Sequence, residues 1–317
     1  LGIGGMMALE LLGITPTIIH MNEGHSAFLA LERIRLLMQK YKISFNEAKE
    51  INTVSSVFTT HTPVPAGNER FPKDLMEKYL KDYVEQNLKI NFNDFLKLGK
   101  IYPDDPNEWF CMTVLALRLS AYNNGVSKLH GEISRKMWKD VWHDVPINEI
   151  PIIHITNGVH GSSWISKEMS DLFFRYLGSK WFENPEDAET WKRVYEIPDT
   201  ELWRTHERRR ERLVEYVRKK IKKQLIARNA PSEEIDRANE IFSPEALTIG
   251  FARRFATYKR ATLIFQDIER LKKILSNKDM PVQIIFAGKS HPKDDAGKDF
   301  IKQIYQFKLC YIACLKD

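Results

Sequence analysis

Apolar positions along the chain follow two rhythms, one with helical spacing and one rich in β-branched residues, and the two take turns. Residues 14–21 (ITPTIIHM) read as a strand, with Pro16 at the entry, where a missing backbone donor is tolerated. NEGH at 22–25 then turns the chain into a long helix in which Phe28, Leu31, Ile34 and Leu37 repeat at the helical period. Ser44 and Glu47 form a capping-box pair ahead of a shorter helix. Residues 54–61 (VSSVFTTH) return to strand, and a loop holding Pro63, Pro65 and Gly67 follows. The pattern assigns residues 71–109 to polar helix, 109–120 to a buried helix, 121–130 (AYNNGVSKLH) to a turn opening a new helix, and 150–155 (IPIIHI) to strand. Ahead of these, residues 8–12 are helix-like, and GIGG at 2–5, which follows no strand, reads as a structural turn.

The second half starts differently. Residues 184–238 are almost wholly helical and charged, which suits a connection between domains. After Pro244 the alternation resumes, with strand at 247–252, a helix carrying Ile264, Ile268, Leu271 and Leu275 on one face, strand at 281–288 and helix at 294–305. Strand followed by helix, twice, implies parallel pairing with right-handed crossovers, the start of a doubly wound α/β sheet.

Composition narrows the class. With 317 residues, 43% of them hydrophobic, a core can form without staples. Cys111, Cys310 and Cys314 have neither the number for a disulfide framework nor the spacing of a zinc site, so a reducing, cytoplasmic compartment fits and no metal is expected. No apolar run reaches the ~18 residues of a membrane span, and a signal-peptide pattern is missing at the N-terminus. The net charge of +6 is concentrated in residues 204–223. Glu207, Glu211 and Glu215 recur there every four residues, the mark of a solvated helix supported by its own ion pairs rather than of a nucleic-acid arm. The chain opens on Leu1 rather than Met, and a fragment is expected.

Chemistry in an open α/β sheet gathers beyond the carboxyl ends of the strands. Four such loops carry unusual side chains: 22–25, 60–63, 156–160 and 253–260. The last makes the clearest case, collecting Arg253, Arg254, Lys259 and Arg260. A strand-to-helix loop already offers free backbone donors to an anion; Arg adds a planar fork for phosphate oxygens and Lys a mobile point charge. Arg260 is assigned to the surface. No GxSxG, HExxH, EF-hand or P-loop is present, and Glu23, the one conspicuous loop carboxylate, has no evident partner.

Six blocks then add up: HMNEGHSAF, FTTHTPVPAGNERF, NNGVSKLHGEI, ITNGVHGSSW, FARRFATYKRATLI and IFAGKSHP. In order and spacing they resemble the α-glucan phosphorylases, the shorter bacterial and archaeal branch more than the regulated animal enzymes, across residues 1–305. The resemblance implies an α/β architecture of two Rossmann-like domains facing across a cleft (GT-B type), both incomplete here. Residues 1–160 would be the C-terminal part of the first, 161–243 a helical connection and 244–317 the start of the second. It implies phosphorolysis of terminal α-1,4-glucosidic bonds of glycogen or maltodextrin by inorganic phosphate, giving glucose 1-phosphate with retention, and pyridoxal 5′-phosphate as cofactor. Arg254 and Lys259 would hold the substrate phosphate; His61 would hydrogen-bond the glucose, its main-chain carbonyl facing the developing positive charge. Asn157 would contact a glucose hydroxyl, and Tyr258, Val126, His25 and Glu23 would line the sugar pocket. Acid would come from phosphate, so no carboxylate pair is needed.

The departures are equally specific. The family's cofactor lysine lies beyond the last matching block and none of the lysines here fills its role. Arg253, where many relatives carry lysine, is assigned to the cofactor side. Residues 307–317 do not look like the family, and a shifted reading frame would explain them. The 317-residue chain alone is expected to be inactive and, with an unfinished second domain, to expose apolar strand edges; the intact protein would be a homo-oligomer with no nucleic-acid or membrane partner. Two other readings stay open: a catalytically dead glucan-binding remnant, and a nucleotide-sugar glucosyltransferase such as a glycogen synthase.

Overall fold

The computed structural model describes residues 1–64, 68–292 and 294–307, together with the backbone of a strand at 312–315. Pro65, Gly67 and Cys310 lie outside the described residues. The chain divides into two compact units, Leu1–Val159 and His160–Asp317.

The first unit runs α1 (Gly2–Leu11), β1 (Ile19–Asn22), α2 (Phe28–Tyr41), α3 (Phe45–Val54), β2 (Ser56–Thr60), β3 (Arg70–Phe71), α4 (Lys73–Asp82), α5 (Phe92–Leu98), β4 (Phe110–Cys111), α6 (Met112–Arg118), β5 (Tyr122–Gly125), α7 (Lys128–Met137) and β6 (Ile152–His154). Its four-stranded sheet has the order β1-β2-β5-β6, every neighbour parallel, while β3 and β4 form a separate antiparallel pair. All four carboxyl ends therefore open on one edge. Met21, Phe58 and Ile152 from the strands are buried with Leu31, Ile34, Phe95, Phe110, Leu115 and Trp138 from the helices and β4 in one core.

The capping box closes as the sequence predicts. Ser44 Oγ accepts the Glu47 N–H at 3.4 Å, and Glu47 Oε2 accepts the Ser44 N–H at 2.8 Å. Other expectations are corrected. GIGG is not a turn but the first part of α1, because Gly2 and Met6, one turn apart, are both buried, Gly2 against the backbone of Phe28 and Leu29. β1 begins only at Ile19, with Ile14 and Ile18 exposed before it, and β2 begins at Ser56 because α3 continues through Val54. The largest correction is β5, read from sequence as a turn and found in the interior of the sheet.

The second unit opens with α8 (Gly161–Trp164), α9 (Lys167–Leu177), α10 (Lys180–Glu183), α11 (Ala188–Lys192), the 29-residue α12 (Asp199–Ala227) and α13 (Ser232–Arg237). Then β7 (Leu247–Ala252), α14 (Ile268–Leu275), β8 (Val282–Ala287), α15 (Asp295–Gln306) and β9 (Ile312–Leu315) build a parallel three-stranded sheet in that strand order. Phe255, Phe265, Leu271, Ile284, Phe286 and Ile304 form its core. Ile264 falls in a 3₁₀ turn before α14 rather than within that helix. On α12 only Glu215 of the three spaced glutamates makes an ion pair among the described residues, with Lys219 at 2.5 Å. Arg209 and Arg212 turn instead to Glu168 of α9.

Candidate active site

In the first unit the loops at the carboxyl edge of the sheet are tied to one another by side chains. Glu23 follows β1, and its carboxylate Oε1 accepts the backbone N–H of His61 and the hydroxyl of Thr62, the latter at 3.0 Å. Asn22 Oδ1 lies 2.7 Å from His61 Nε2. The loop after β2 is thus gripped from β1 at both its main chain and its ring. Glu23 itself has φ 71° and ψ 163°, a backbone region used almost only by glycine and costing other residues on the order of 1–3 kcal/mol. Its neighbour His25 stands exposed in the 3₁₀ turn Gly24–Ser26.

Beneath these loops a polar chain crosses three strands. His20 Nε2 is 2.7 Å from Thr59 Oγ1, whose hydroxyl donates to Asn124 Oδ1 at 2.8 Å. Val126, just past β5, donates its N–H to His130 Nδ1 at 3.2 Å and accepts the N–H of Asn157 at 3.1 Å. Val126 and Asn157, named separately in the sequence reading, are therefore hydrogen-bonded neighbours, while the Asn157 side chain remains exposed. His130 is buried, accepts at Nδ1, and leaves Nε2 without a protein partner.

The second unit carries the cations. Arg253 and Arg254 leave β7 exposed, and buried Phe255 anchors the loop by donating its N–H to the carbonyl of Lys289 at 2.9 Å. The loops after β7 and β8 meet at Gly288, which has φ +157° and whose missing Cβ would fall 2.1 Å from the Arg253 carbonyl oxygen. Only glycine fits there. A 3₁₀ turn, Thr257–Lys259, then presents Tyr258, exposed, and Lys259, whose Nζ stands 5.7 Å from the centre of the Tyr258 ring. Burial first, then the charges of Arg254 and Arg253, hold the Lys259 ammonium below the usual lysine range. Among the described residues no carboxylate lies within ion-pair distance of Arg253, Arg254, Lys259 or Arg260. Arg260 is exposed with φ 54°, turned out by a left-handed backbone.

Sequence reasoning named Glu23, His25, His61, Val126, Asn157 and the cationic loop. It singled out the loops that hold Asn22 and Thr62 without giving either a role, did not name His130, and saw no partner for Glu23. The partners come from neighbouring strands, 38 or 39 residues away for the Glu23 and Asn22 contacts, and spacing along one chain carries no such signal.

Parallel sheets joined by helices, with polar loops at the carboxyl ends of their strands, define an α/β protein. Residues 14–309 match the carbohydrate phosphorylase family, and the chain belongs to it. It is 45% identical to a maltodextrin phosphorylase of Thermococcus litoralis over 96% of its own length and 35% of that protein's. It is 38% identical to a glycogen phosphorylase of Aquifex aeolicus over 97% of this chain and 44% of the relative. A glycogen phosphorylase of Mycobacterium tuberculosis is 38% identical over 96% of this chain and 36% of the relative. The chain thus spans between about a third and under half the length of these relatives.

All but one of the lysines among the described residues are at least partly exposed. The one buried lysine among them, Lys100, donates its Nζ to the Asp105 carbonyl at 2.6 Å in the first unit. Lys259 belongs to the cation cluster.

Proposed function

We propose that the chain is part of an α-glucan phosphorylase acting in the cytoplasm, which transfers the terminal glucosyl group of glycogen or maltodextrin to inorganic phosphate. The observation that carries this reading is the set of three uncompensated cations, Arg253, Arg254 and Lys259, at the carboxyl end of β7. Charges that repel one another and have no carboxylate partner among the described residues call for an external anion; burial first, then repulsion from Arg254 and Arg253, depresses Lys259, and a phosphate dianion relieves the repulsion. The names of the relatives, maltodextrin and glycogen phosphorylase, support the substrate class.

In this reading Arg254 and Lys259 hold phosphate, with Arg253 toward the cofactor side and Tyr258 toward the sugar. The glucosyl unit is met by His61, Val126 and Asn157, with Glu23 and His25 nearby, and the parallel sheet of each unit is in keeping with the Rossmann-like domains of a GT-B type protein. As the C1–O bond loosens, the glucosyl ring gains positive charge, stabilised by the phosphate dianion and the His61 carbonyl. The inorganic phosphate gives its proton to the departing oxygen, which leaves as the 4-hydroxyl of the shortened glucan, and a phosphate oxygen forms the new bond to the glucosyl C1. Pyridoxal 5′-phosphate, when bound in the intact protein, would supply phosphate acid–base chemistry.

The test is release of glucose 1-phosphate from maltodextrin and inorganic phosphate by the full-length protein. Release is expected, with its loss in Arg254→Ala. A folded protein that instead elongates glucan from a nucleotide sugar, and releases nothing with phosphate, overturns the reading in favour of a glucosyltransferase.

A further inference from the structure

Glu23 presents a paradox that the sugar-pocket reading does not resolve. Its backbone sits where glycine is at ease and a side chain is not, yet glutamate occupies the position. The surroundings over-determine that conformation: the Glu23 N–H donates to the Thr59 carbonyl at 2.9 Å, and the Glu23 carbonyl accepts the Ser26 hydroxyl at 2.8 Å. Glycine would satisfy both bonds without strain. What glycine would lose is the carboxylate, and that carboxylate is spent on the main-chain N–H of His61 and the hydroxyl of Thr62. Asn22, the preceding residue, meets the His61 ring through Oδ1. An amide oxygen can only accept, so the proton of that contact lies on Nε2.

We infer that Asn22 and Glu23 are positioning residues, a clasp at the end of β1 that fixes both the main chain and the imidazole of His61. Backbone strain at Glu23 is the consequence of placing a carboxylate within reach of the next strand's loop. The inference rests on the reading of His61 as a sugar contact. Its strongest consequence concerns the His61 carbonyl, which has no rotamer of its own and can be aimed only by holding the peptides around it. A carboxylate on the His61 N–H does so with a charge-assisted hydrogen bond.

The experiment compares Glu23→Gly and Glu23→Gln with wild type in the full-length protein by three readouts: amide hydrogen exchange at His61 without ligand, thermal stability, and kcat and KM for maltodextrin phosphorolysis. In Glu23→Gly the His61 amide should exchange at least about ten-fold faster, because its acceptor is gone. Thermal stability should hold or rise as the strain is relieved, while kcat/KM falls by about a hundred-fold, the usual scale for a misplaced reacting group. Glu23→Gln, which keeps a neutral acceptor, should fall between the two in exchange and in activity. An unchanged His61 exchange rate in Glu23→Gly overturns the clasp, and so does a released amide with full activity. A Glu23→Gly protein that loses stability in parallel with activity, or fails to fold, makes Glu23 a structural residue and also overturns it. If wild type shows no phosphorolysis, the functional reading fails by itself, and the exchange measurement still decides whether the clasp exists.

Discussion

Lys259 is a cation held among cations, and its titration follows from that. Burial and the two arginines disfavour its charged form, so the folded chain binds this proton less tightly than the unfolded chain does. Where the unfolded state binds more protons, stability rises with pH. The charged Lys259 is therefore a cost at neutral pH, relieved as pH climbs from its lowered folded value toward the ordinary 10.5. A bound phosphate reverses the balance by pairing with the charge. Lys259→Ala should accordingly be no less stable than wild type in phosphate-free buffer at pH 7, and should lose most of the thermal stabilisation that inorganic phosphate gives the wild type. Thermal denaturation with and without phosphate checks both halves. A variant that is destabilised without phosphate yet stabilised equally by it would place the anion elsewhere. At this scale the sequence was informative where charge density spoke for itself, as in Arg253, Arg254 and Lys259. It was mute where a contact reaches across to the loop of the next strand, as for Asn22 and the His61 ring.

Among the elements, β5 shows what local pattern misses. Its residues Tyr122, Asn123, Asn124 and Gly125 have low strand propensity apart from the first, and they read as a turn. They are nevertheless paired on both sides, with β2 and β6, and the buried asparagines are held by hydrogen bonds: Asn124 accepts from Thr59, and Asn123 donates to the Ser120 carbonyl. Strands of apolar, β-branched sequence such as β2 and β8 were legible because their propensity and burial agree. β5 was not, because tertiary pairing overrides its propensity. Gly125 is part of that pairing: a Cβ there would meet His130 Nδ1 at 2.8 Å and the Gly131 backbone nitrogen at 2.9 Å. The second contact is to main chain and cannot swing away. Gly125→Ala should push α7 off the sheet and cost about 1–3 kcal/mol. Urea denaturation should show this as a lower midpoint at unchanged slope. A midpoint like that of wild type would mean that α7 yields without cost.

For the molecule as a whole, the uncovered strands matter most. Purely parallel sheets are ordinarily covered on both faces. Here β7, an edge strand, has no fully buried residue, and leaves Leu247 59% and Ile249 40% exposed. The other sheet ends in β6, where Ile153 is 60% exposed, with Ile155 just beyond at 57%. Each of these strands has a strand neighbour on one side only among the described residues and carries exposed apolar side chains, the combination that invites further strands. The 317-residue chain should therefore associate as its concentration rises. Ile153→Lys combined with Ile249→Lys should shift it toward monomer, since lysine on an edge strand repels a second copy and keeps the edge hydrated. Sedimentation velocity over a concentration series measures the shift, and binding of a hydrophobic dye should fall in step. A wild-type chain that stays monomeric throughout and binds no dye would mean that these faces are shielded in solution. An associating chain unaffected by the two lysines would locate the contact on other surfaces, with the exposed aromatics Trp164 and Tyr195 the next to replace.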